Sequence, residues 1–410
     1  MPLPAGEPAI PAERVQTVVE RLTRIPDSAR AFTMSATDAI RRFRIGTSLL
    51  DQMISLGLPV RDKGGERHFD QFDLINSSMY LGVSPTSRTT RRFWPPALNP
   101  PAGVTATSYE VSYQPVCPVP GHDGPCGYEL AVPGGGRVRQ AAPETGPVHE
   151  ARVALPARWP DLPPQARAAL AVTDGLVFSW LPPALATDLD FIAASGLADC
   201  AGVCRLLAAE GQRSGLATRK SYGLAVAPPF SVPHYWAEFL VGEVWVPVDP
   251  VLIVAMTGWG VLDRAQWPPH RSPGAILARV SEERVPLAAH APVPGAVAAG
   301  SAAVGPVVVG VAPVGPVVVG VAPVRPVAVG PAAVGPAAVG TDWTSARLSM
   351  PTRMAGAIRE TDPDCSVEDV TAEHVTAEHV TAEHVSTAGE AGVARENSAA
   401  REGVERARLA

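Results

Sequence analysis

Residues 232–249 constrain the fold more than any other stretch, because their alternation and their turn fix two strands and the faces those strands present. Val232–Val241 is dense in β-formers, Gly242 and Glu243 supply a turn, and Val244–Asp249 returns, so the segment reads as a hairpin. With Val241 opposite Val244, position 236 falls opposite 249 and position 234 opposite 251. A period of two then gathers Tyr235, Ala237, Phe239, Val241, Val244, Val246 and Val248 on one apolar face, the expected core face. His234, Trp236, Glu238, Trp245 and Asp249 fall on the other. Asp249 is there a diagonal neighbour of His234, at roughly 7 Å between backbones and within side-chain reach. Only a one-residue slip would separate the pair.

Upstream, Asp199 precedes Cys200, and Val203, Leu206 and Leu207 form a helical apolar stripe that ends near Gly211 to Gly215. A cysteine in a first helical turn faces unpaired backbone N–H groups and the positive end of the helix dipole, both of which favour thiolate. A protonated His234 would complete a thiolate–imidazolium pair, with Asp249 holding the ring's tautomer and orientation. Cys204 lies one turn further on, on nearly the same face, and competes for the nucleophile's role; core packing is its main expectation.

Asp199–Cys200, Gly215–Arg219 with Gly223 soon after, His234–Glu238 and Trp245–Pro250 together resemble the core motif of the transglutaminase-like superfamily. The resemblance covers roughly residues 165 to 255; Leu216, Ala217 and Thr218 replace a more usual Ile-Pro-Ala, and Tyr235 replaces a small residue. It implies an α+β, papain-like core in which a cysteine-bearing helix packs on an antiparallel sheet. Cys200 would be the nucleophile, His234 the general base and acid, and Asp249 the orienting group. Activity would be acyl transfer or amide hydrolysis or formation through a cysteinyl thioester, on a peptide, protein or small-molecule amide or thioester substrate. Trp236 and Trp245 are expected as walls of the site or as lid packing and Glu238 as a solvated or hydrogen-bonded strand residue. Arg219 is open between a substrate carboxylate and a structural partner. The oxyanion hole needs the Cys200 N–H and a second donor, for which Trp180 is the candidate. No Asp-x-Asp-x-Asp-Gly calcium loop is present, and no cofactor or metal is expected.

The rest of the chain divides by composition. Residues 1–35 form an N-terminal extension with an amphipathic stretch from Ala12 to Ile25. Residues 36–95 read as a helical accessory domain, with Ser35 to Asp38 as a helix cap and helices over 39–45, 47–56 and 70–81. The glycine-containing segment 57–69 between the last two resembles the wing of a winged helix-turn-helix module, which would place Arg61, Lys63 and Arg67 against phosphate. A DNA-binding regulator, with the cysteine domain as sensor or scaffold, is therefore the alternative reading, opposed by the net charge of −6. A solvated loop on the accessory domain is the plainer account of the same residues.

Residues 96–160 are Pro/Gly-rich, with strands over 106–113 and 127–132, the latter expected to pair back onto the former. Cys117, His122 and Cys126 lie between them, one ligand short of a tetrahedral set and without Cys-x-x-Cys spacing, so a loop with incidental thiols is expected ahead of a metal or a disulfide. The catalytic domain is expected over 161–290. Residues 291–345 repeat Val, Gly and Pro at a density that forbids helix and central strand, as an extended linker does. Residues 346–410 read as a disordered tail, in which His374, His379 and His384 recur every five residues and so share no helical face. With neither a secretory leader nor an unbroken apolar run of about 20 residues, the expected compartment is the cytoplasm, with no membrane partner.

Overall fold

The computed structural model describes residues 10–122, 124–143, 145–292, 307–310 and 344–359. Its first helix, α1 (Ala12–Leu22), buries Val15, Val18, Val19 and Leu22 along one face. β1 (Met34–Ser35) runs into α2 (Ala36–Phe43), where the Ser35 hydroxyl accepts the Asp38 N–H and the Asp38 carboxylate accepts the Ser35 N–H, a reciprocal capping box. After α3 (Thr47–Ser55), Gly64 and Gly65 at positive φ turn β2 (Arg61–Lys63) back into β3 (Glu66–Phe69). Asp70 then caps α4 (Gln71–Leu81). Strand order β1-β3-β2 and a common core of Val15, Phe43, Leu50, Met53, Phe69 and Leu74 make this one module.

The expected wing is the β2–β3 hairpin, and its cations are engaged inside the module. Arg61 lies 4.4 Å from the Phe32 ring centroid, Lys63 Nζ donates to the Phe32 carbonyl at 2.8 Å, and Arg67 pairs with Asp51 at 2.8 Å.

α5 (Pro85–Leu98) leads to β4 (Val104–Val116), β5 (Cys126–Val132), β6 (Gly136–Ala141) and β7 (His149–Pro156). β5 does not pair back onto β4, contrary to the expectation from sequence. Gly134 and Gly135 at positive φ close β5 tightly onto β6, while β4 pairs with β7.

α6 (Pro164–Ala169), β8 (Val177–Phe178), α7 (Leu189–Ser195) and β9 (Leu197–Ala198) lead to α8 (Cys200–Arg213). β10 (Thr218–Ala225), β11 (Val232–Val241), β12 (Val244–Val248), α9 (Pro250–Gly258), β13 (Leu277–Ser281) and β14 (Ala288–Pro292) follow. The molecule is thus mixed α+β with several antiparallel sheets, one of them in the order β12-β11-β10-β13. α8 packs across β10 and β11.

The hairpin register is the expected one, with Val241 opposite Val244 and Ala237 opposite Val248. Ala237, Phe239, Val246 and Val248 meet Val203 and Leu207 of α8 in one core. The opposite face is covered as well: Trp236 joins Tyr222 and Leu224 in a core that includes Tyr109 and Val153 of β4 and β7. Regions 96–160 and 161–290 therefore share a hydrophobic interior, and the Tyr109 hydroxyl donates to the Ala275 carbonyl across it at 3.1 Å.

Four further strands come from regions read as linker and tail. β15 (Val307–Gly310) joins β7 in parallel at a sheet edge, between Pro306 and Pro313. β16 (Thr344–Ser345) pairs with β14, and β17 (Arg347–Ser349) and β18 (Thr352–Arg359) line β4. Residues 346–359 thus correct the expectation of a disordered tail. They bury Met350, Thr352 and Ala355 and satisfy the second edge of β4, which would otherwise present a row of unpaired backbone groups. The rest of the Val/Gly/Pro repeat and the Val-Thr-Ala-Glu-His repeats lie outside the described residues. Among those described, no helix is long and apolar enough to cross a membrane.

Candidate functional site

Cys200 is aimed by a short parallel pairing. Phe178 lies opposite Ala198, and the chain turns directly from β9 into α8. The Asp199 carboxylate caps that helix, accepting the N–H groups of Ala201 at 2.9 Å and Gly202 at 3.0 Å. Cys200 is thereby the first residue of α8, and among the described residues no protein acceptor meets its own N–H. Gly202 lets the helix start sit against α7, since a Cβ there would lie 2.4 Å from Ile192 Cδ1 and 2.8 Å from the Ala186 carbonyl oxygen.

His234 and Asp249 are brought together by the hairpin register and by the helix that follows it. Asp249 ends the returning strand and caps α9, its Oδ1 accepting the Leu252 N–H at 2.9 Å. Its Oδ2 lies 2.8 Å from His234 Nε2. With Nε2 donating to Asp249, Nδ1 is the ring nitrogen left for the Cys200 sulfur. Burial by itself disfavours the charged ring, but the Cys200 sulfur and the Asp249 carboxylate outweigh it and raise the His234 pKa to about 10. All three groups are buried, Cys200 being 7% exposed, His234 6% and Asp249 2%.

Cys204, the competing thiol, points elsewhere. Its Sγ donates to the Trp236 carbonyl at 3.0 Å, and burial pushes the thiol up to about 12, so it stays protonated near neutrality.

The other residues singled out by sequence form a supporting network. Arg219, opposite Glu238 in the β10–β11 register, pairs with that carboxylate and lies 4.4 Å from the half-buried Trp245 ring. Trp236 donates its indole N–H to Glu238 at 2.9 Å. Its ring runs nearly parallel to that of His234, at 16° and 6.4 Å between centroids. The Glu238 carboxylate is thus a structural partner for Arg219. Trp236 is enclosed in the core beside His234, because β4 and β7 cover that face of the sheet.

Trp180 lies just past β8 and is gripped by the N-terminal module. Asn76 of α4 donates to its carbonyl and accepts its N–H, both at 2.8 Å. The Tyr80 hydroxyl donates to the Phe178 carbonyl, and Arg24 reaches the Ser195 carbonyl at 3.0 Å. The Trp180 indole N–H has no partner among the described residues. Two neighbours of the site had no role assigned from sequence. Asp199 is a buried acid that desolvation raises to about 6, against its capping bonds and the charge of His234; its place directly before Cys200 was the available signal. Asn76 is 104 residues from Trp180, and no local pattern announces it.

The arrangement can hold a proton on an imidazole beside a sulfur at a helix N-terminus. Compared with models of known protein families and with curated proteins, the chain matches none.

Proposed function

We propose that this chain is a transglutaminase-like thiol enzyme on a papain-like core, carrying acyl groups through a thioester on Cys200. The observation that carries the reading is the position of His234, bonded to Asp249 at 2.8 Å and raised in proton affinity by the Cys200 sulfur. The Cys200 sulfur attacks a carbonyl carbon, forming the S–C bond, and the oxyanion takes the Cys200 N–H, with the Trp180 indole N–H as second donor. His234 gives its proton to the leaving amine or thiol as that bond breaks. An acceptor amine or water then loses a proton to the ring, attacks the thioester and returns the sulfur. The acceptor admitted decides between transferase, peptidase and amide-forming activity.

Alkylation by iodoacetamide, followed by peptide mass mapping from pH 5 to 9, tests the proposal. Cys200 should label faster than Cys204 below neutral pH, and His234→Ala should abolish that advantage. Equal, slow labelling of the two thiols in the unaltered protein refutes the enzyme reading.

A further inference from the structure

Away from Cys200, four side chains from distant parts of the chain converge. Cys117 lies just past the end of β4, His122 in the connection that follows, Cys126 at the start of β5, and His290 on β14. Their ligating atoms all lie within 4.8 Å of one another. His122 Nε2 is 3.3 Å from Cys126 Sγ and 3.1 Å from His290 Nε2, and Cys117 Sγ is 3.6 Å from His290 Nε2. A tetrahedron with metal–sulfur bonds of about 2.3 Å and metal–nitrogen bonds of about 2.0–2.1 Å has edges of about 3.3–3.8 Å, close to the three pair distances just given. Both cysteines are free thiols. The β5–β14 register sets Pro292 opposite Cys126 and His290 opposite Tyr128, so the sheet itself carries the fourth donor to the other three.

We propose that Cys117, His122, Cys126 and His290 form a structural zinc site. Two thiolates and two imidazoles in tetrahedral reach suit Zn²⁺ and not the oxygen-seeking Mg²⁺ or Ca²⁺. On binding, two S–H bonds break and their protons pass to solvent. Two S–Zn and two N–Zn bonds form with no change of oxidation state, and the centre is neutral overall. With all four positions filled by protein there is no open position for water or substrate, so the metal fastens the β4–β5 connection to β14. The Tyr128 ring, 5.3 Å from that of His290, flanks the site. Sequence shows three of the donors within ten residues but not the fourth, which lies 168 residues beyond His122.

The full-length chain, stripped of metal under reductant and titrated with Co²⁺ alone, tests this. The expected result is one equivalent bound, with the visible d–d absorption of tetrahedral cobalt, a sulfur-to-cobalt charge-transfer band, and displacement by Zn²⁺. His290→Ala should weaken binding by at least about tenfold. His290→Cys keeps four donors and should bind one equivalent with a stronger charge-transfer band. Absence of tetrahedral bands overturns the proposal, as does His290→Ala binding like the unaltered chain, or a Cys117–Cys126 disulfide persisting under reductant. If His290→Ala fails to fold, the His290→Cys arm decides: binding supports the site and its loss refutes it.

Discussion

Burial opposes a charge on His234, and its sulfur and carboxylate neighbours favour one more strongly. Its pKa, raised from 6.5 to about 10, means that the folded chain keeps a proton that the unfolded chain releases near 6.5. The resulting stabilisation is fully present below pH 6.5 and is lost as pH rises through about 10. Unfolding free energies from urea titrations should therefore fall between pH 7 and 10, by an amount on the order of a few kcal/mol, and Asp249→Asn should flatten the slope by removing one of the two supports. A slope as steep in Asp249→Asn as in the unaltered chain would contradict this account. Asp199 does not confuse the window. As an acid raised from 3.8 to about 6, it costs nothing below 3.8, and its cost is complete by neutral pH.

At the scale of strands and helices, the close approach of β13 to β10 is the most demanding contact near the site. Gly223 faces His234 across the β10–β11 pairing, and a Cβ at 223 would sit 2.1 Å from the Ala278 carbonyl oxygen, a backbone atom that can yield only if β13 moves. Gly223→Ala should cost about 1–3 kcal/mol and lower Tm; an unchanged melting curve would show that the strand yields freely. The β11–β12 hairpin was legible from its letters because alternation and a tight turn are local signals, and so was the cap at Ser35. The partner of β4 was not legible. β7 and β18 both compete with β5 for it, and the choice rests on a shared core and on residues some 250 positions away, Thr352 pairing with Val111 and Arg359 with Val104. The Cys200–His234–Asp249 trio lay within a span dense in local signal, whereas Asn76 and His290 reach their partners only through tertiary packing.

Across the whole molecule, the N-terminal module clamps the segment that positions Cys200. Asn76→Ala would leave both backbone groups of Trp180 without their partner, at a cost of about 1–3 kcal/mol. Alkylation of Cys200 should slow and amide exchange over residues 177–180 should rise; unchanged exchange there would mean that the module is only tethered. The opposite end of the chain matters as much. The Ser231 hydroxyl lies 2.6 Å from that of Thr352, and the Thr352 N–H donates to the Pro229 carbonyl at 2.8 Å, just before the strand that bears His234. A nascent polypeptide halted at residue 343 would thus possess every member of the trio yet lack the splint along β4 and beneath 229–231. Adding a synthetic 344–359 peptide to such a truncated product should restore cooperative melting in trans, complementing it much as the missing half of a split protein would.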